Sequence, residues 1–166
     1  RAEEAVALAK QVVQKQALPG LQLAQRVKSS SEALNADVDA ILAAPEPGAR
    51  IATSPDGTKL ELRSNGSRVQ RMPNGVVIVA FADAQRVQLD PSGARIAMVD
   101  DGNKVQFCKD GTVILVHPDK RTVEWHQNGT TNQRLDEGIK VQVNGGTDGA
   151  TFITLQSGIK VVCAAD

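Results

Sequence analysis

From Ile51 onward an apolar residue returns at every ninth position: Ile51, Leu60, Val69, Ile78, Val87, Ile96, Val105, Ile114 and Val123. A second series runs two residues later through Leu62, Ala80, Leu89, Met98, Phe107, Val116 and Trp125, with Arg71 as its polar member. Spacing by two within each repeat is the signature of an extended strand. Between repeats stands a residue that is nearly always small and polar or acidic, followed by glycine: Pro47-Gly48, Asp56-Gly57, Asn65-Gly66, Asn74-Gly75, Ser92-Gly93, Asp101-Gly102, Asp110-Gly111, Asn128-Gly129 and Glu137-Gly138. Asp83-Ala84 and Asp119-Lys120 fall on the same grid. Asn-Gly and Asp-Gly suit two-residue type I′ hairpin turns, in which both central residues take positive φ. The pattern predicts a mainly β chain, a single-layer antiparallel meander of about 12–13 short strands preceded by an α-helical segment.

With two-residue turns, the third residue after a turn stands opposite the fifth residue of the preceding repeat. Leu62 then faces Val69, Phe107 faces Ile114, and Val116 faces Val123. Both apolar series share one face in that register, which buries Ile96, Val105, Ile114 and Val123. The opposite face carries Glu61, Arg68, Gln70, Arg86, Gln88, Arg95, Lys104, Gln106, Glu124 and Gln133; Val77, Val79, Phe81, Val113 and Leu115 depart from it. After "NGGTDG" (144–149) two further strands are predicted around Ser157-Gly158. At about 4.8 Å per strand, such a sheet is roughly 60 Å wide.

The first part of the chain has a different period. Residues 1–45 form an α-helical segment, a hairpin or coiled-coil-like unit, and 46–166 the β-meander. Val6, Ala9, Val12 and Val13 lie on one helical side, and "LPG" at Leu18 to Gly20 is expected to break the helix. A second helix runs from Leu21 to "PEPG", with apolar positions at intervals of mostly three or four. Ser31, in "SSS", is a candidate N-cap that would split it.

Composition narrows the function. Nineteen Lys and Arg balance nineteen Asp and Glu, which argues against nucleic acid or an anionic membrane as a dedicated partner. No apolar run reaches the roughly 18 residues of a membrane span, and "RAEEAVALAK" has no h-region of a signal peptide. Cys108 and Cys163, far apart and outside any CxxC spacing, are expected as free thiols of a reducing cytosol. "NGS" at Asn65 and "NGT" at Asn128 match a glycosylation acceptor but fall on the turn grid, and are read as turns. His117 and His126 are not placed as neighbours, so no metal pair is expected. No GxSxG, HExxH, P-loop or dinucleotide motif occurs, and "GGTDG" does not precede a helix. Neither enzymatic activity nor a cofactor is expected. Phe107 and Trp125 read either as ordinary core or as an aromatic platform for a peptide. With Met98 and Val116 of the apolar series, and Val161 of the last, lightly guarded strand "IKVVCA", they are the candidate partner-binding residues.

The stretches "SPDGTKLELRSNGSRVQRMPNGVVIV" and "FCKDGTVILVHPDKRTVEWHQNGT" resemble the C-terminal T-complex-protein domain, or G-box, of CPAP-type centriole scaffold proteins. The resemblance spans Ile51 to Gly138. It implies an open single-layer sheet that binds a proline-rich segment of a STIL-type protein and associates end to end. It also implies a cytoplasmic, cytoskeletal location at a centriole, basal body or cilium. The expected function is a non-enzymatic scaffold with protein partners and a tendency to homo-oligomerise, without nucleic acid or membrane. A β-structured fibre or spike protein of a phage or secretion apparatus is the rival reading. A small-molecule-binding barrel or propeller is disfavoured by the even spacing.

Overall fold

The computed structural model describes residues 1–146 and 148–164. Thirteen antiparallel strands form one sheet whose spatial order is the chain order. They are β1 (Arg50–Thr53), β2 (Lys59–Leu62), β3 (Arg68–Arg71), β4 (Val77–Ala80), β5 (Arg86–Leu89), β6 (Arg95–Met98), β7 (Lys104–Phe107), β8 (Val113–Val116), β9 (Thr122–Trp125), β10 (Thr131–Arg134), β11 (Lys140–Val143), β12 (Thr151–Thr154) and β13 (Lys160–Cys163). The fold class is as expected: a mainly β, single-layer meander behind an N-terminal helical segment. Thr147, in the longer connection before β12, lies outside the described residues.

The nine-residue period divides differently from the two-residue turn model. Each strand has four residues and most connections have five. In the first connection the Ser54 N–H donates to the Thr58 carbonyl (2.8 Å) and the Gly57 N–H to the Ser54 carbonyl (2.9 Å). The glycine alone takes positive φ there, as in a type I turn closed by a left-handed bulge residue. The Asp or Asn before it has another task. Its Oδ1 accepts the N–H of the residue two positions on, at Asp56, Asn65, Asn74, Asp83, Asp110, Asp119 and Asn128. Those residues are therefore Asx acceptors. Positive φ at both members of the pair occurs at Asp101-Gly102 and Glu137-Gly138.

A five-residue connection shifts the register by one. Val69 pairs with Glu61, not Leu62; Ile114 pairs with Gln106, not Phe107; Val123 pairs with Leu115, not Val116. The ninth-position series therefore alternates between faces, because a one-residue slip exchanges sides. Val69, Val87, Val105, Val123 and Val141 point to one face, joined there by Val79, Ala97, Leu115 and Ile153. All nine are buried. Leu60, Ile78, Ile96 and Ile114 point to the other face and are half-buried. The true repeat is eighteen residues, two strands. Of the residues expected in one buried row, Val105 and Val123 are covered by the helical segment, while Ile96 and Ile114 are not. Val77, Val79, Phe81, Val113 and Leu115 are not exceptions but members or neighbours of the main core.

One helical run covers the valine face. It comprises α1 (Ala2–Val12), a π-helical turn (Val13–Ala17) and α2 (Leu18–Ala43). "LPG" does not break it. The Leu18 N–H donates to the Val13 carbonyl five residues back, and Pro19 enters in the first turn of α2, where its missing N–H costs least. Ser31 is no N-cap. It is fully buried inside α2, and its Oγ donates to the Val27 carbonyl (2.8 Å). Leu34 and Val38 of α2 pack with Val79, Val87, Ala97, Val105 and Leu115, while Ala9 and Val12 of α1 pack with Val141, Ile153 and Val161.

Candidate interaction surface

Three polar contacts hold the helix to its face. Arg95 was expected on the polar, exposed side; it lies on the covered side, and its Nη2 meets Asp39 Oδ1 of α2 at 2.6 Å. Gln133 was expected on the polar side as well. It occupies a buried core position between Val123 and Val141, and its Nε2 donates to the Ala17 carbonyl at the end of the π turn (3.1 Å). Thus the one glutamine in the buried row answers the irregular turn of the helix above it. At the C-terminus of α2, Arg63 donates to the carbonyls of Ile41 (2.9 Å) and Ala44 (3.2 Å) and pairs with Glu61 (2.8 Å). A cation there meets the negative end of the helix dipole. Glu46 accepts from the Ser64 hydroxyl and N–H, which hold its carboxyl below the usual range.

The five candidate partner residues divide between the two faces. Phe107 and Trp125 lie on the covered side against the α2 core, and the Lys28 ammonium sits 5.5 Å above the indole ring. Val161 is buried under α1. These three are packing residues in this molecule. Met98 and Val116 are on the open side, where the Arg86 Nε–H points to the Met98 sulfur at 2.8 Å.

The open side has two rows. The central row alternates Leu60, Gln70, Ile78, Gln88, Ile96, Gln106 and Ile114, then continues through Glu124, Asn132 and Gln142 to Phe152. The flanking row runs Arg50, Leu62, Arg68, Ala80, Arg86, Met98, Lys104 and Val116 across β1 to β8. It ends with Thr122, Arg134, Lys140, Thr154 and Lys160. Sequence reasoning missed these stripes because it placed both apolar series on one side. A signal was available: from Leu60 to Val123 the ninth-position series alternates leucine or isoleucine with valine, an eighteen-residue repeat.

The turns are electrostatically settled. At Asp56, Asp110 and Asp119 the N–H two residues on holds each carboxyl below its ordinary value, chiefly through the Asx bond. His117 Nδ1 lies 2.8 Å from Asn103 Oδ1, and burial, helped by Arg121, lowers its pKa. Among the described residues no group of three His, Cys, Asp or Glu is placed to hold a metal ion, and no helix is long and apolar enough to cross a membrane.

The fold of about three quarters of the chain is matched among solved structures. A point mutant of the TCP10 domain of Danio rerio CPAP is 26% identical over 74% of this chain and 72% of its own, with a TM-score of 0.65. The TCP10 domain of Danio rerio CPAP in complex with a peptide of Danio rerio STIL is 25% identical over 73% and 72%, with a TM-score of 0.56. The chain has the fold of the CPAP-type TCP10 domain. The Drosophila melanogaster SAS-4 TCP domain, in complex with a proline-rich motif of Ana2, shares its fold at 18% identity, covering 72% of this chain and 92% of its own, with a TM-score of 0.58. No family model and no curated protein sequence matches the chain.

Proposed function

We propose that this TCP10-type domain is a non-enzymatic protein-interaction scaffold acting in centriole, basal-body or axoneme assembly, at the cytoplasmic cytoskeleton. Its partners include a proline-rich segment of a STIL-type protein. The observation that carries the reading is the open face. One side of the sheet is closed by the chain's own helix, while the other presents Ile78, Ile96 and Ile114 alternating with glutamines, and beside them Met98 and Val116 alternating with Arg86 and Lys104. A repeated strand surface with apolar steps and amide donors suits an extended chain, which needs pockets for side chains and hydrogen bonds for its backbone. Met98 and Val116 are the proposed partner contacts. Phe107, Trp125 and Val161 act through the packing beneath. Support for the partner class comes from the complexes of two similar domains with a STIL peptide and with a proline-rich motif of Ana2.

Self-association belongs to the same reading. No described strand pairs outside β1 or β13, and Val162 on β13 is 61% exposed. Such an edge is a template for a second copy. The partner reading is tested by fluorescence anisotropy with a labelled proline-rich peptide. Saturable binding lost in Met98→Glu and Val116→Glu is expected. Undiminished binding in both variants would move the contact elsewhere, and no binding to the native chain would remove the proline-rich partner.

A further inference from the structure

The formal charge of the chain is zero, but most acids lie in the helical run and the connections, which leaves the open side of the strands basic. Seven basic residues, Arg50, Arg68, Arg86, Lys104, Arg134, Lys140 and Lys160, lie in the flanking row of the open side, and every one is exposed. Glu124, in the adjacent row, is the acidic strand residue on that side. Among the described residues none of the seven makes an ion pair. Along β1 to β8 the basic residues occupy every second strand, about 9.6 Å apart, with Leu62, Ala80, Met98 and Val116 between or beside them.

We propose that this row is a docking track for an acidic, extended segment of another protein, laid across the strands with a carboxylate at about every third residue. Three residues of extended or polyproline II chain advance roughly 9.3–10 Å, which matches two strand spacings. Intervening apolar side chains of that segment meet Leu62, Ala80, Met98 and Val116. The track holds whether or not a proline-rich segment binds the same face.

The surroundings select a peptide over other polyanions. The connections at this end carry six acids, Asp83, Asp100, Asp101, Asp119, Asp136 and Glu137, against three bases, Arg63, Lys120 and Arg121, of which Arg63 pairs with Glu61 and Arg121 with Asp119 and Asp136, so the rim is acidic on balance. That acidic rim repels a broad anionic surface such as a membrane, while a single chain fits between rim and central row. Single-stranded nucleic acid needs aromatic platforms for its bases, and Phe152 is the one aromatic strand residue on the open side.

The probe is a labelled fifteen-residue peptide with glutamate at every third position and valine and serine between. Its control is the same peptide with lysine for glutamate. Anisotropy titrations at about 50 and 300 mM salt bracket screening. Saturable binding of the acidic peptide, weakened by salt and absent for the control, is expected. Arg68→Glu, Arg86→Glu and Lys104→Glu combined should weaken it at least about tenfold, since each exposed pair contributes a small factor and reversal turns attraction into repulsion. Circular dichroism melts show whether the triple variant stays folded; if it does not, Arg86→Gln and Lys104→Gln singly should each give about a twofold loss. Failure of the acidic peptide to bind, equal binding of the control, or no loss in the folded variants would overturn the proposal. So would tighter binding of oligothymidylate or of phosphatidylserine vesicles. The proline-rich peptide of the preceding section, run beside it, separates loss of this track from loss of the scaffold reading.

Discussion

Leu115 and Ile114 are neighbours on β8 and separate the two possible registers. With two-residue turns Ile114 is core and Leu115 is an outward exception. In the structure Leu115 is fully buried beneath α2, between Val105 and Val123, and Ile114 lies on the open side between Gln106 and Glu124. Leu115→Ala removes a buried branched side chain and leaves a cavity against a helix that the sheet register holds in place. The expected cost is about 2–5 kcal/mol. Ile114→Ala removes a side chain that keeps part of its surface in water, so only part of the transfer term applies and the expected cost is about 1 kcal/mol. Urea melts followed by circular dichroism give both values, provided the slope of the transition is unchanged. A loss from Ile114→Ala equal to or larger than that from Leu115→Ala would refute the five-residue connection and the face assignment that depends on it.

Lys120 holds φ 73° at a position where most repeats have glycine, so Lys120→Gly should raise stability by up to about 1 kcal/mol in the same melts. Gly145→Ala should destabilise, because a Cβ there would run into the Asn128 carbonyl and the backbone of Gly129; a thermal midpoint at or above the native value would contradict it. Arg63→Met should lower the midpoint by the loss of two helix-end hydrogen bonds and a salt bridge, roughly 1–3 kcal/mol. Stability should fall with acid in two stages. The folded His117 has a pKa below its ordinary 6.5, so the folded state binds fewer protons; its contribution is full above that value and is lost as pH falls through the lowered pKa. Asp56, Asp110 and Asp119 follow the same sign below 3.8. Urea midpoints measured from about pH 7.5 down to pH 3 check both stages, and a His117→Asn variant should lose the first.

The meander itself was legible because nine-residue punctuation leaves little room for any other element, and the strands between the turns pair in chain order. Register was not legible from the same pairs. Asp56-Gly57 suits a type I′ turn and a type I turn with a glycine bulge equally well, and the choice moves every side chain by one position. Face assignment then failed at Ile96, Ile114 and Arg95, although the valine–isoleucine alternation encoded it. Helix continuity across Pro19 depended on a π turn and on Gln133, more than a hundred residues away, reaching the Ala17 carbonyl. No local rule anticipates such a contact. The candidate partner residues were drawn from both apolar series as one row, so Phe107 and Trp125 were grouped with Met98 and Val116 from the opposite side.

The central claim is that one face of the sheet is closed by the chain's own helix and the other receives a protein partner. A methyl NMR titration with the proline-rich peptide tests it most directly. The account predicts shifts confined to Ile78, Ile96, Met98, Ile114 and Val116, with Val69, Val87, Val105, Leu115 and Val123 unmoved. Shifts concentrated on the valine face, or displacement of α2 from it, would contradict the account.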